Sequence, residues 1–145
     1  MPAINRHALV PYTSREIFDL VDEVERYAEF LPWCRRSTVH TRTEIQVDAT
    51  LDISKAGFSE SFSTRNIRSV GESISMSLLD GPFDSLRGAW TFTPLGEMGS
   101  RVELNLSYEF SNSVVQILLA PTFAGIVGSL VDAFVKRAEV VYGPK

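Results

Sequence analysis

The side chains that could do chemistry in this sequence are few. The chain of 145 residues has one cysteine, Cys34, and two histidines, His7 and His40, so no zinc-type ligand cluster can be assembled. A nucleophilic cysteine needs an activating base, but Cys34 follows Pro32-Trp33 with no histidine close by in the sequence. A lone cysteine forms no internal disulfide, which is typical of a reducing, cytoplasmic setting. We therefore expect a structural thiol, no metal site and no enzymatic activity.

The carboxylates include one residue of interest. A general acid–base pair needs two titratable groups held together in a cleft, and no motif nominates such a pair. Glu60 shares strand parity with Phe58 and Phe62, so an unbroken strand would point it inward as a polar anchor for a ligand. The alternative is a place at the mouth of the strand or beside a bulge, because unpaired glutamate is rarely buried.

Two arginines have the opposite strand parity and are expected on the wet face of a sheet. Arg65 and Arg87 either mix with nearby acids as an ordinary solvated surface or form a local patch that contacts RNA. The formal net charge of -4 argues against a global attraction to nucleic acid, and we expect no binding to DNA.

The first part of the chain predicts a strand and two short helices. Residues 3–10 form the strand, and Thr13 or Ser14 then supplies the N-cap of a helix. A second helical piece, over residues 25–30, ends before Pro32, because the residue preceding a proline is pushed out of the helical region.

The rest of the chain predicts a sheet closed by a helix. Over residues 45–110, apolar and polar residues alternate in runs separated by turns, which predicts an antiparallel meander. Over residues 114–142 the apolar period changes to three and four, which predicts a core-facing helix with Pro121 near its start or at a kink. The charge-free stretch between Glu109 and Asp132 is interrupted by polar residues, proline and glycine, and is a poor membrane span.

These elements predict an α+β fold in one domain over residues 1–145, with a curved antiparallel sheet wrapped around the long C-terminal helix. Such an arrangement often leaves a gap that side chains do not fill, and gaps of this kind bind apolar molecules. The inward-facing side chains therefore either fill a core or line a ligand cavity. The residues predicted to face the gap are Phe58, Phe62, Met76, Leu78, Phe83, Leu86, Trp90, Phe92, Leu104, Leu106, Tyr108, Phe123, Val127, Leu130, Val131 and Phe134.

The order of the elements resembles the START-like, helix-grip superfamily. Residue strings spread over nearly the whole chain resemble, more closely, the coenzyme Q-binding protein family and its bacterial branch of ribosome association toxins. The strings are Ala8-Leu9-Val10-Pro11-Tyr12, Phe30-Leu31-Pro32 with Cys34, Ser54-Lys55-Ala56-Gly57, Thr64-Arg65-Asn66, Asp80-Gly81-Pro82-Phe83 with Leu86 and Trp90, and Ala133-Phe134 with Arg137-Ala138 and Val141-Tyr142.

The resemblance implies two activities of different classes. One is binding of ubiquinone or a similar polyisoprenoid lipid in the helix-grip cavity in support of respiration, with the quinone as a bound ligand rather than a cofactor. Exchange with a membrane would then need transient contact and an opening of the loop over residues 80–83 or of the charge-free segment over residues 114–131.

The other implied activity is that of a toxin in a toxin–antitoxin pair. Such a protein binds the large ribosomal subunit and blocks its association with the small subunit, and Arg65 and Arg87 are the candidate contacts. An enzyme of the cyclase or hydratase kind is a third reading, since the same fold hosts such enzymes.

Overall fold

A seven-stranded antiparallel sheet dominates the computed structural model of the chain, which describes residues 3–55 and 58–144. The strands lie in the order β1-β7-β6-β5-β4-β3-β2, so β3 to β7 follow one another as the predicted meander. The predicted turn at Ala56-Gly57 and the side chain of Phe58 lie outside the described residues. The strands are β1 Ala3–Val10, β2 Cys34–Arg42, β3 Gln46–Lys55, β4 Phe58–Ser69, β5 Ser73–Asp80, β6 Phe83–Leu95 and β7 Gly99–Phe110.

Two short helical segments follow β1, as the sequence predicts. Helix α1 spans Ser14–Asp22 and begins with a capping box. The hydroxyl of Thr13 accepts a hydrogen bond from the backbone N–H of Glu16 at 3.1 Å, and the Glu16 carboxylate accepts one from the N–H of Thr13 at 2.9 Å. A 3₁₀ helix over Val24–Glu29 follows directly.

The C-terminal helix α2 spans Ser113–Tyr142 and passes through Pro121 without ending. Of the two predicted places for Pro121, the helix start is therefore wrong, since the N-cap is Asn112, whose side chain accepts a hydrogen bond from the N–H of Val115 at 2.9 Å. The other predicted place, a kink inside the helix, stays a prediction. A proline inside a helix removes the hydrogen bond to the carbonyl four residues earlier. Here that residue is Ile117, which is 77% exposed.

Helix α2 packs on β1, β7 and α1, and its C-terminal end is fixed. The hydroxyl of Tyr12 donates to the carbonyl of Gly143 at 2.8 Å, and the hydroxyl of Tyr142 donates to the carbonyl of Glu16 at 2.9 Å. The helix is long and apolar enough to cross a membrane by length and composition alone. Its inner face nevertheless contributes a row of buried core residues: Leu119, Phe123, Ile126, Val127, Val131, Phe134 and Ala138.

A largely buried ion pair joins α1 to the sheet. The guanidinium of Arg68 on β4 donates to both carboxylate oxygens of Asp22, at 2.7 and 2.8 Å. It also donates to the carbonyls of Thr43 and Glu44, so all three nitrogens of the guanidinium form hydrogen bonds. The end of α1 is thereby fixed against the β2–β3 turn.

Candidate functional site

An apolar cavity of about 80 Å³ lies between the inner face of the sheet and α2. The alternation of the strands produces it, because every second side chain of β3 to β7 points toward the helix. The predicted residues that line it are Phe62, Met76, Leu86, Trp90, Leu104, Leu106, Phe123, Val127, Leu130 and Phe134.

Five other predicted residues belong to the core or its edge but do not line the cavity. Phe83 stacks on Phe110 with ring centroids 5.2 Å apart, in an aromatic cluster that also contains Tyr108. Phe92 packs against Phe18 of α1 at 5.7 Å. Leu78 is half-buried, and Val131 is buried on α2 away from the cavity. Strand parity assigns a face of the sheet, whereas the cavity occupies only part of that face.

Glu60 is not a polar anchor of the cavity. It is exposed, opposite Ile53 near the end of the β3–β4 pair, so its carboxylate stays in water, as for a residue at a strand mouth. The polar side chains of β4 that do line the cavity are Thr64 and Asn66, further along the same face of the strand. They share the parity of Phe62 and could have been found from it.

Asn66 supplies a hydrogen-bond donor to this otherwise apolar wall. The residue is 9% exposed, and its carbonyl oxygen accepts a hydrogen bond from the Thr64 hydroxyl at 3.0 Å. Its amide nitrogen makes no hydrogen bond with the residues described, 3–55 and 58–144. Since Asn66 lines the cavity, this N–H is available to donate to a ligand there.

The remaining lining residues were not predicted as site residues. They come from the 3₁₀ helix and the loop after it, from β3 and β4, and from α2: Val24, Tyr27, Trp33, Ala49, Leu51, Ile53, Thr64, Asn66 and Ile126. The alternation in β3 does mark its members as inward-facing. No local pattern identifies Val24, Tyr27 and Trp33 as cavity residues, because their position depends on how the helical segment packs across the sheet.

Titratable chemistry in the cavity is limited to one phenol among the lining residues described. The hydroxyl of Tyr27 donates to the carbonyl of Val21, and burial raises the pKa of Tyr27 well above its ordinary value. The nearby thiol of Cys34 is also buried, and desolvation, with a smaller contribution from the charge of Asp52, raises its pKa to about 11. Both groups stay protonated at neutral pH.

The two predicted arginines lie on the outer face of the sheet but differ in their partners. Arg65 donates to both carboxylate oxygens of Asp48 at 3.0 Å, and this hydrogen-bonded pair lowers the pKa of Asp48. Arg87 is exposed and forms no ion pair within the described residues. It borders an open groove of about 480 Å³ together with Ser75 and Asn105. Of these two arginines, Arg87 is therefore the one whose charge is not compensated by a carboxylate of the described residues.

The first turns of α2 expose a set of large apolar side chains. Val114, Ile117 and Leu118 are each at least 66% exposed. An exposed apolar patch of this kind commonly marks an interaction site on a soluble protein. The C-terminal half of the same helix carries charges instead, including Asp132 and Lys136.

Comparison with known proteins identifies relatives of two kinds. The family described as polyketide cyclase / dehydrase and lipid transport matches residues 10–135. The ribosome association toxin RatA of Vibrio cholerae is 45% identical over 143 residues, which cover 99% of each chain. The mitochondrial coenzyme Q-binding protein COQ10 of Dictyostelium discoideum is 25% identical over 136 residues, 91% of this chain and 66% of that protein.

The solved structures confirm the predicted helix-grip fold. A START superfamily protein from Mycobacterium smegmatis has a TM-score of 0.80 at 19% identity, covering 96% of this chain and 98% of the other. The resemblance on which the sequence analysis relied, to coenzyme Q-binding proteins and ribosome association toxins, is thus confirmed as well.

Proposed function

The chain belongs to the polyketide cyclase / dehydrase and lipid transport family, and on this premise we propose that it binds a polyisoprenoid quinone such as ubiquinone without catalysing a reaction. The observation that carries the proposal is the apolar cavity between the sheet and α2, with its free amide donor at Asn66. Burial of a prenyl tail favours binding by about 2.5 kcal/mol per 100 Å² of apolar surface, before ordering costs are subtracted.

The polar residues of the cavity suit a quinone head group. Quinone carbonyls accept hydrogen bonds, and the amide nitrogen of Asn66 is a donor without a partner in the part of the chain that the structure describes. The hydroxyl of Thr64 donates a hydrogen bond to the carbonyl oxygen of the same amide and so fixes its orientation. Binding of a carbonyl oxygen to Asn66 would therefore orient the head group against β4.

The absence of an acid–base pair around the cavity favours a binding protein over an enzyme. Among the described lining residues only Tyr27 titrates, and its raised pKa keeps it protonated at neutral pH. Cyclase chemistry of the kind found in the wider family needs groups that move protons. We therefore propose that the ligand leaves the cavity unchanged, as the cargo of a carrier or chaperone in respiration.

Ligand entry requires the protein to open. The cavity of about 80 Å³ is far smaller than the 300–1,000 Å³ that is usual for ligand sites. The first half of α2 is the element that would move, because the other end is fixed by Tyr12 and Tyr142. Opening would bring the exposed side chains of Val114, Ile117 and Leu118 against a membrane during exchange.

The test is quinone binding with a matched pair of variants. Lipid extraction and mass spectrometry of the purified protein should yield a quinone, and added ubiquinone should quench tryptophan fluorescence, since Trp33 and Trp90 line the cavity. Asn66→Leu should weaken binding several-fold, whereas Asn105→Leu on the outer face should leave it unchanged. A protein that never takes up quinone under any of these conditions would refute the proposal.

A second function is favoured by the full-length relative at 45% identity, whose name associates it with the ribosome. We propose that the outer face of the sheet, with Arg87 as a cation that has no ion pair among the described residues, binds the large ribosomal subunit and keeps the small subunit away. This role would place the protein in the cytoplasm. The two proposals use different surfaces of one fold and can hold together.

Sedimentation profiles test the ribosomal proposal. Added protein should increase free subunits at the expense of joined ribosomes, and Arg87→Glu should remove the effect. Arg15→Glu is the matched control, because this exposed arginine lies on α1 and, within the part of the chain that the structure describes, its ion pair is with Asp19 of the same helix. A profile that stays unchanged at saturating protein contradicts the ribosomal function.

A further inference from the structure

A second groove lies on the surface beside the cavity. It has a volume of about 470 Å³ and runs between the loop after the 3₁₀ helix and the C-terminal half of α2. Phe30 and Trp33 form one side, Lys136 and Arg137 lie on the helix, and Lys55 reaches it from the end of β3. The groove is thus part aromatic and part cationic.

The charges in this groove are unevenly compensated. Arg137 is occupied, since it donates to Glu29 at 3.1 Å and stacks over the ring of Phe30 at 4.9 Å. Lys55 and Lys136 form no ion pair with any residue in 3–55 or 58–144. Asp132 is the one carboxylate among the described lining residues. Two free ammonium groups against one carboxylate make the groove locally positive, although the whole chain carries a net charge of -4.

Aromatic side chains lie between the groove and the inner cavity. Trp33 is 6% exposed and lines both spaces. Next to it, Phe30 of the groove meets Phe134 of the cavity with ring centroids 5.4 Å apart. The backbone of Trp33 is held, because its carbonyl accepts a hydrogen bond from the N–H of Ser54 at 2.9 Å. The side chain of Trp33 is thus a part of the wall that a hydrocarbon chain would have to displace to pass from the groove into the cavity.

We propose that the groove is the head-group site for an anionic amphiphile, with a phosphate or carboxylate between Lys55 and Lys136 and the hydrocarbon chain passing Trp33 into the cavity. This inference rests on the proposed binding of apolar ligands and extends it by naming the ligand class. Charge-assisted hydrogen bonds from two ammonium groups favour a small, strongly charged head over a neutral one. The aromatic wall favours the first methylene groups of the chain.

Three probes distinguish binding of the head group from binding of the hydrocarbon chain. Dodecyl phosphate, dodecanol and inorganic phosphate are titrated into the protein below the micelle concentration, with tryptophan fluorescence and calorimetry as readouts. Dodecyl phosphate should bind on the order of tenfold more tightly than dodecanol, as expected for hydrogen bonds to charged groups. Inorganic phosphate alone should bind far more weakly than either amphiphile.

Charge variants assign the preference to the groove. Lys136→Gln should reduce the ratio of the two affinities several-fold and leave dodecanol binding unchanged, whereas Lys136→Arg should preserve the ratio. Arg15→Gln removes the same charge from α1, outside the groove, and should have no effect. Asp132→Asn should increase the preference for dodecyl phosphate, because it removes the carboxylate that lines the groove.

The outcomes distinguish this inference from the function on which it rests. Dodecanol that binds as tightly as dodecyl phosphate, or a ratio unchanged by Lys136→Gln, overturns the head-group site and leaves the apolar cavity in place. Inorganic phosphate that binds as tightly as dodecyl phosphate overturns it in favour of a free-anion site. If no alkyl probe and no quinone binds, both the inference and the proposed function fail.

Discussion

Ala49 is the residue from which the inner cavity can be filled without altering the protein surface. It lies on β3, is 3% exposed, and lines the cavity opposite α2. Leucine at this position places three further carbon atoms in the empty space. If the space is a ligand site, Ala49→Leu should stabilise the fold and abolish ligand binding together.

The magnitude follows from the burial of those three carbons. At about 0.8 kcal/mol for each buried carbon group, the upper bound is about 2.4 kcal/mol. The cavity of about 80 Å³ accepts them, but adjustment against the neighbouring side chains reduces the gain. We expect a net increase of about 1 kcal/mol in the free energy of unfolding, in the range usual for cavity filling. For a chain of this length that raises Tm by about 2–4 °C.

The assay pairs thermal unfolding with ubiquinone titration. Ala89→Leu is the matched control, since Ala89 is half-buried beside the groove on the outer face of the sheet and should leave quinone binding unchanged. A variant at Ala49 that binds quinone as tightly as the wild type refutes the assignment of the ligand to this cavity. A variant that is destabilised by more than about 1 kcal/mol refutes the claim that the cavity has room for three more carbon atoms, because overpacking then dominates.

Three further predictions concern other parts of the molecule. Native Cys34 should resist iodoacetamide at pH 7.5 and react on unfolding, and rapid labelling of the native protein would contradict this. The pKa of Cys34 is about 11 in the folded state and about 8.5 in the unfolded state, so its contribution to the free energy of unfolding should be lost as the pH rises from about 8.5 to about 11. The Cys34→Ala variant should lack this pH dependence. Asp22→Ala leaves Arg68 without its carboxylate and should lower the free energy of unfolding by roughly 3 kcal/mol in urea titrations; a loss below about 1 kcal/mol would show that water replaces the pair. Ile117→Glu should change stability by less than about 0.5 kcal/mol but slow the transfer of ubiquinone between vesicles, and unchanged transfer would remove this helix face from the exchange step.

Local patterns in the sequence predicted most of the fold. The N-cap at Thr13 or Ser14 and the alternation from residue 45 onward depend on neighbours within a few residues, and the structure has the cap at Thr13 and the predicted strands. The predicted helix start at Pro121 was wrong because the sequence shows that proline lacks an N–H but not how exposed Ile117, four residues earlier, is. Ile117 is 77% exposed, and the helix continues past the missing hydrogen bond.

The site was harder to predict than the fold because it depends on long-range packing. Parity placed Phe62 correctly on the inner face, and the same parity extends to Thr64 and Asn66. It failed for Glu60, since parity does not say where a strand leaves the core. Trp33 carries no periodic signal, because its position at the cavity depends on how the loop before β2 crosses the sheet.

The cavity and the outer face are separated by the sheet itself, which makes the two proposed functions independently testable. Ala49 points to one side of the sheet and Arg87 to the other, so each substitution leaves the opposite surface intact. If the protein is both a lipid carrier and a ribosome-binding factor, Ala49→Leu should remove only quinone binding and Arg87→Glu only the effect on ribosomes. Loss of both activities in the Ala49 variant would mean that the ligand controls the outer face. That coupling could pass through the sheet at Met76, because this residue lines both the inner cavity and the outer groove.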